Sequence, residues 1–157
     1  MEIHISIPSS QSAEDKSMNN DSPPPPPSDA SPFGNVIYAY TRKQALADGV
    51  QVDVTAMAKK AGFRIPVFIT DTVYNEYVKV PLDVEAQDEK GRLWDILCAL
   101  ERAIKRVPFG IHEVHFHCYV CNSMTEPANP VQLFAVCSAL DIDDPASSIT
   151  IMLPIED

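Results

Sequence analysis

The stretch from Tyr38 to Phe63, YAYTRKQALADGVQVDVTAMAKKAGF, constrains the fold more than any other part of the sequence. Thr41 stands three residues before Gln44, the spacing of a capping box in which each side chain satisfies a free backbone N–H at a helix start. Gly49 then suits the end of that helix, because glycine adopts the left-handed conformation of a C-terminal cap at no steric cost. We therefore expect a short helix between Thr41 and Gly49.

A strand and a second short helix follow in the same stretch. Valines at positions 50, 52 and 54 alternate with polar residues, which is the pattern of a half-buried strand. Thr55 is expected to cap a helix from Ala56 to Ala61, and Gly62 is expected to end it. Helices this short are not stable alone in water, so both must pack on a sheet.

The rest of the chain predicts one long helix and several further strands. Apolar residues recur at helical spacing from Arg92 to Val107 and form a single apolar stripe. Runs typical of strands are Val36–Tyr40, Ile65–Thr70, His112–Cys121, Val131–Cys137 and Ser148–Leu153. The sequence thus predicts a single α+β domain, residues 34–157. Its antiparallel sheet is packed by the long helix, with short helices between the strands of the N-terminal half.

Residues 1–33 have a different composition. They are rich in Ser, Asp, Asn and Pro and include the run Pro23 to Pro27. Such a segment has too few large apolar residues to offset the entropy lost on ordering. We expect a disordered arm that acts as a spacer, with a ligand for a proline-recognition domain as the alternative.

Hydropathy and cysteine usage indicate a cytoplasmic protein. No segment approaches 18 consecutive apolar residues, and the first residues lack the basic region and apolar run of a signal peptide. Cysteines 98, 118, 121 and 137 sit among hydrophobic residues, which is typical of reduced core cysteines rather than of a disulfide framework. We expect a protein that is neither exported nor associated with a membrane.

Negative charge is concentrated toward the C-terminal end. The net charge is −10, and residues 107–157 contain seven acidic residues and no Lys or Arg. Nucleic-acid affinity comes mainly from basic side chains that neutralise phosphates, so this part of the chain is not expected to bind nucleic acid. A basic protein partner fits it better, with Asp141, Asp143 and Asp144 as candidate partner-binding residues. The alternative is that the acidic residues serve only solubility.

Calcium and nucleic acid are two other ligands to compare with the charged residues. The acidic segment 141–145 offers oxygen ligands but lacks the glycine and the later glutamate of a calcium loop, so an acidic hairpin turn is the better interpretation. Nucleic acid remains an alternative partner if six basic residues share one face. They are Lys59, Lys60, Arg64, Arg102, Lys105 and Arg106.

The segment from Glu113 to Cys121, EVHFHCYVC, contains the residue types that ligate zinc. On a strand, His115 and His117 lie on one face about 6.6 Å apart, close enough to share an ion, whereas Cys118 lies on the other face. A third ligand would have to come from Glu113 or from another strand. Zinc held by His115 and His117 is therefore a candidate cofactor, and the alternative is that the two histidines form a polar outer face.

The sequence contains none of the common catalytic motifs. It has no GxSxG, no HExxH and no glycine loop that cradles phosphate. The start at Tyr40-Thr-Arg, with Ala-Asp-Gly after it, is similar to the first strand and helix of small ADP-ribosyltransferases, but the late catalytic Glu of that pattern cannot be placed. No catalytic residue is assigned. A small metal-dependent or transferase-like enzyme that uses His115 and His117 is the alternative to a non-enzymatic protein.

Three segments carry a resemblance to a family. They are YTRKQALADGVQVDVT at 40–55, GRLWDIL at 91–97 and TIMLPIED at 150–157. They resemble a bacterial domain-of-unknown-function family of small proteins carried on plasmids, integrative elements and prophages, and His115 and His117 fall outside its pattern. The resemblance implies the context of mobile DNA, in which small acidic proteins often bind and block host defence or nucleic-acid machinery. The leading expectation is a non-enzymatic interaction module, and an inhibitor of such machinery is one form of it.

Overall fold

The computed structural model describes residues 40–156. Its helices are α1 (Arg42–Ala47), α2 (Thr55–Lys60), α3 (Asp71–Val73), which continues into a π-helical turn (Tyr74–Val78), and α4 (Glu89–Ile104). Its strands are β1 (Gln51–Asp53), β2 (Val67–Thr70), β3 (Glu113–Val120), β4 (Asn129–Asp141) and β5 (Asp144–Met152). The predicted α+β fold is confirmed. The predicted arm at residues 1–33, and the predicted strand Val36–Tyr40 except for its last residue, lie outside the described residues.

The strands form one mixed sheet in the order β1-β2-β5-β4-β3. Neighbouring strands are antiparallel, as predicted, except that β2 and β5 are parallel. A tight turn forces antiparallel pairing, but β2 and β5 are separated by α4 and by two whole strands. The direction of that pair is therefore set by tertiary packing, which no local pattern in the sequence encodes.

The core lies between α4 and one face of the sheet. Ile96, Leu97 and Leu100 of α4 are almost completely buried, and α4 packs mainly over β3. The apolar side chains of β3 point toward the helix because its burial alternates strictly along the strand. This alternation confirms the predicted division of β3 into an apolar core face and a polar outer face. The buried residues of β3 are Val114, Phe116, Cys118 and Val120.

Capping residues explain where α1 and α4 begin. Thr41 accepts a hydrogen bond from the N–H of Gln44 at 3.1 Å, and the Gln44 side chain accepts from the N–H of Thr41 at 2.9 Å, so the predicted capping box is present. The long helix begins at Glu89 rather than at the predicted Arg92, because the Asp88 side chain accepts the N–H of Gly91 and caps it. Its last residue is Ile104, three residues before the predicted end.

The predicted role of Thr55 as a helix cap is wrong. Val54 occupies the cap position of α2 and makes no side-chain capping bond, and the side chain of Asp53 accepts the N–H of Thr55 at 2.8 Å. The hydroxyl oxygen of Thr55 instead accepts the N–H of Val67 at 3.1 Å and lies 3.3 Å from the Val67 carbonyl. Thr55 therefore joins the start of α2 to β2, a role that depends on a neighbour twelve residues away.

The hairpin between β4 and β5 is longer than predicted. Residues 138–147 were expected to form a loop, but most of them pair across the two strands, and the turn consists of Ile142 and Asp143. The predicted acidic hairpin turn is confirmed in this tighter form. None of the helices within residues 40–156 has the length and apolarity needed to cross a membrane.

Candidate functional site

The backbone of β3 is hydrogen-bonded on one side only. β3 is an edge strand that pairs with β4 and with no other strand in the described part of the chain. Just before β3 begins, the carbonyl of His112 accepts the N–H of Cys137 at 2.7 Å. Bonded and non-bonded residue pairs alternate along an antiparallel ladder, so the even-numbered residues of β3 bond to β4. The backbone N–H and C=O groups that point away from the sheet belong to Glu113, His115, His117 and Tyr119.

Pro130 in β4 supports this alternation. It lies opposite Tyr119, at a position that the alternation places among the non-bonded pairs. Proline has no N–H and is tolerated in a sheet only where that donor is not needed. The sequence of β4 is therefore compatible with this register and would oppose one shifted by a single residue.

Helix α4 forms a wall beside the open edge of β3. A cleft of about 360 Å³ is lined by residues 115–117 of β3 and by Ala99, Arg102, Ala103, Arg106 and Val107 around the C-terminal end of α4. A second cleft, of about 390 Å³, is lined by residues 118–121 and by the N-terminal half of α4. The helix and the strand run in opposite directions, so the two clefts follow each other along one edge. We call them together the β3–α4 groove.

The charges of the β3–α4 groove differ between its two ends. Arg102 and Arg106 are exposed at one end, and neither forms an ion pair with another described residue. Lys105, by contrast, pairs with Glu101 one turn earlier. Asp95 lies exposed at the other end. The groove thus has a basic end and an acidic end.

The Arg92 side chain closes the acidic end and holds β3 against α4. Its guanidinium donates to the side chain of Gln87 at 2.8 Å, to the carbonyl of Lys79 at 2.9 Å, to the side chain of Asn122 at 2.8 Å and to the carbonyl of Cys121. Arg92 is buried, and burial lowers the pKa of its guanidinium. No local pattern in the sequence predicts this role for Arg92. The sequence feature that could have indicated this role is the position of Arg92 beside Leu93, at the start of the apolar stripe.

His115 and His117 lie on the exposed outer face of β3. The ring of His115 stacks on Phe134 of β4, with the ring centroids 4.5 Å apart. In residues 40–156, no group of three or more His, Cys, Asp or Glu side chains is arranged to hold a metal ion. The structure therefore brings the two predicted ligands onto one face without placing a third beside them. Zinc at this pair stays a prediction.

The acidic residues at the tip of the β4–β5 hairpin do not act as one group. The Asp141 carboxylate accepts the N–H groups of Ile142 at 2.8 Å and of Arg42 and Lys43 at 3.2 Å each. These bonds, the one from Ile142 above all, lower the pKa of the Asp141 carboxyl. Asp144 accepts the N–H of Ala146 at 3.0 Å. Asp141 therefore caps α1, whereas Asp143 is exposed in the turn.

Arg42 joins α1 to the outer face of the sheet. Its guanidinium donates to the carbonyl of Leu140 at 2.6 Å, to Gln51 at 2.8 Å and to the Thr150 hydroxyl at 3.0 Å. It also lies over the Phe68 ring, 4.3 Å from the centroid. Burial lowers the pKa of the Arg42 guanidinium, and Asp141 opposes that shift. In the segment YTRK, Thr41 is thus explained by capping of α1 and Arg42 by packing on the sheet.

The basic residues considered for nucleic acid lie on separate segments. Lys59 and Lys60 are in the last turn of α2, Arg64 follows in the connection to β2, and the other three are at the C-terminal end of α4. Lys105 is already paired. Of the six basic residues, Arg102 and Arg106 line a cleft of the β3–α4 groove.

The four cysteines form no disulfide. Cys118 is buried in the core behind the groove. Burial raises the pKa of its thiol to about 11, and the carboxylate of Asp95 adds to the shift. Asp95 and Cys118 line the same cleft, which places Asp95 close to β3.

A third cleft, of about 480 Å³, lies at the C-terminal end of α4 and is mainly apolar. Phe109, Ile111, Cys137 and Ile149 are among the residues that line it, and the side chain of Phe109 is fully exposed. Nothing in the described residues indicates what would cover it.

Comparison with protein-family models, with curated proteins and with solved structures found no match for this chain.

Proposed function

We propose that this protein is a non-enzymatic interaction module that binds an extended segment of a partner protein along the open edge of β3. The segment adds to the sheet as a sixth strand and lies in the β3–α4 groove. Strand addition of this kind, with backbone hydrogen bonds for affinity and flanking side chains for specificity, is the mode by which PDZ and PTB domains bind peptides.

The observation that carries the proposal is the alternation of β3. Four consecutive odd-numbered residues direct their backbone donors and acceptors away from β4. Proteins usually protect such an edge, because it is a template for pairing with another chain. Here α4 stands beside the edge without covering it, and the clefts along it leave room for a chain.

The basic partner predicted from the sequence is also part of this proposal. A basic partner that contacts the hairpin tip would use the exposed Asp143 and Asp144, because Asp141 is occupied by the start of α1. The wider context is also part of the proposal. It places the module in the cytoplasm, as a product of a mobile element that blocks host defence or nucleic-acid machinery, and the sequence resemblance alone supports that role.

Selection of peptides from a random ten-residue library on the full chain tests the proposal. His117→Pro is the edge variant, since it removes an outward-pointing N–H that no described strand uses, at a position where proline is tolerated. His117→Thr is the matched control, because it changes the side chain and keeps the N–H.

We expect selected peptides to bind the wild type and His117→Thr with similar affinity and to bind His117→Pro at least tenfold more weakly. Circular dichroism should show that all three proteins are folded. Peptides that bind His117→Pro as well as the wild type, or that protect residues of the apolar cleft around Phe109 instead of β3, would contradict the proposal.

A further inference from the structure

We infer that the partner segment is acidic where it passes the C-terminal end of α4, with carboxylate side chains that pair with Arg102 and Arg106. This inference rests on the proposed strand addition at β3 and adds the chemistry of the occupant. It differs from the expectation of a basic partner, which came from the net charge of the whole chain.

The positions of the two arginines support an acidic segment. Arg102 and Arg106 are one turn apart on α4 and line the same cleft as the backbone of residues 115–117. A strand paired with β3 would lie about 4.8 Å from it, directly below these side chains. Both guanidinium groups are exposed and free of described ion-pair partners, so no carboxylate of residues 40–156 has to be displaced before a ligand can bind.

The small residues of α4 give the segment access to the groove. Ala99 and Ala103 lie one turn apart and line the same cleft as the arginines. Larger side chains at these two positions would fill the space between the helix and the strand. The helix therefore leaves room for a backbone next to the two arginines.

Because of Asp95, the two ends of the groove differ in charge. It lies at the level of Cys118 and Tyr119, whereas the arginines lie at the level of His115 to His117. The two levels are about three residues apart along β3, which is on the order of 10 Å. Side chains on one face of a strand recur every second residue, so we expect a basic residue two to four positions from the carboxylates of the segment.

The test uses three ten-residue peptides of alternating Thr and Val on the full chain. One is neutral, one carries two Glu on the face that meets α4, and one carries two Lys at the same positions. Exposed ion pairs each contribute up to about fivefold in affinity. We therefore expect the Glu peptide to bind about tenfold more tightly than the neutral peptide, and the Lys peptide to bind more weakly than both.

A charge reversal shows whether the arginines are responsible. The double variant Arg102→Glu with Arg106→Glu should prefer the Lys peptide to the Glu peptide. The matched control, Lys59→Glu with Lys60→Glu, makes the same change in net charge on α2 and should keep the wild-type order.

The outcomes separate this inference from the proposed function. Equal binding of the Glu and neutral peptides, or an unchanged order in the arginine variant, overturns the acidic segment and leaves strand addition intact. Displacement of the peptides by a ten-nucleotide single-stranded DNA, dependent on Arg102 and Arg106, assigns the arginines to phosphate and also overturns it. Failure of all three peptides to bind β3, the neutral one included, refutes the proposed function itself.

Discussion

The carbonyl of His112 accepts the N–H of Cys137 at 2.7 Å, and this bond sets which backbone groups of β3 face outward. A register shifted by one residue would exchange the inward and outward sets and would also turn the core side chains of β3 toward solvent. The buried side of the strand and its open edge are thus fixed by the same pairing. The packing of α4 on Phe116 consequently determines the groups that are free to bind.

Replacement of Asp141 should destabilise the fold, whereas replacement of Asp143 should not. Asp141→Ala removes the acceptor for two N–H groups at the start of α1, and the loss of a helix cap costs about 1 kcal/mol. Asp143→Ala is the matched control, with an expected change within about 0.5 kcal/mol because its side chain is exposed. Urea unfolding of both variants measures the difference. Equal effects would show that the cap contributes nothing to stability.

Arg42→Ala should cost more than Asp141→Ala. It removes donors to Leu140, Gln51 and Thr150, and hydrogen bonds that involve a charged group contribute about 2 kcal/mol each at partly buried sites. We expect a loss of about 2 to 3 kcal/mol, since water replaces part of these bonds. Lys43→Ala, which changes the exposed neighbour, is the control. A loss below 1 kcal/mol for Arg42→Ala, measured by the same urea unfolding, would show that α1 is held to the sheet mainly by other contacts.

Stability should fall with rising pH as the Cys118 thiol ionises. Its pKa is about 11 in the folded protein and 9.0 ordinarily, so the folded state retains the proton over that interval and the unfolded state releases it. The stabilisation is fully present below pH 9 and is lost as the pH rises through 11. Cys118→Val, which cannot ionise, should show a shallower decline, with a remainder from Tyr74 and Tyr77, whose pKa values are raised mainly by burial. Identical pH profiles of the two proteins between pH 9 and 11 would contradict the burial of this thiol.

Removal of the Arg92 guanidinium should loosen the acidic end of the groove. Arg92→Leu keeps an apolar body in the core but leaves the carbonyls of Lys79 and Cys121 without their donor. An acceptor left unsatisfied costs about 1 to 3 kcal/mol when it is buried, and these two are partly buried, so we expect the low end of that range for each. Arg102→Leu, at an exposed position on the same helix, is the control. We expect lower stability and faster amide exchange at residues 119–121 in the first variant alone. Unchanged exchange there would mean that other contacts anchor the end of β3.

The sequence predicted those elements whose signals are local. The capping box of Thr41 and Gln44 needs four consecutive residues, and the two faces of β3 need only the period of a strand. The order of the strands, the parallel pair of β2 and β5, and the capping of α1 by Asp141 depend on residues tens of positions apart. Asp141 is an example. In the sequence it belongs to a predicted acidic turn, and only the fold brings its carboxylate to the start of α1.

The candidate site was missed for the same reason. The sequence suggested the side chains of His115 and His117 as zinc ligands, whereas in the structure their backbone groups are part of the candidate site. No residue type marks an edge strand, since any strand exposes its backbone when it has no neighbour. Pro130 lies one residue before the predicted strand Val131–Cys137, and only the structure includes it in β4, which begins at Asn129. A proline in a strand indicates a position where no N–H is needed.

Amide hydrogen exchange resolved to single residues, on the full chain with and without a selected strand peptide, tests the central claim most directly. In the free protein the amides of His115 and His117 should exchange fast, while those of Val114, Phe116 and Cys118 should be protected by β4. On addition of the peptide, the His115 and His117 amides should become protected as well. Protection of these two amides in the free protein, or their continued fast exchange with the peptide bound, would contradict an open edge at β3 that accepts a partner strand.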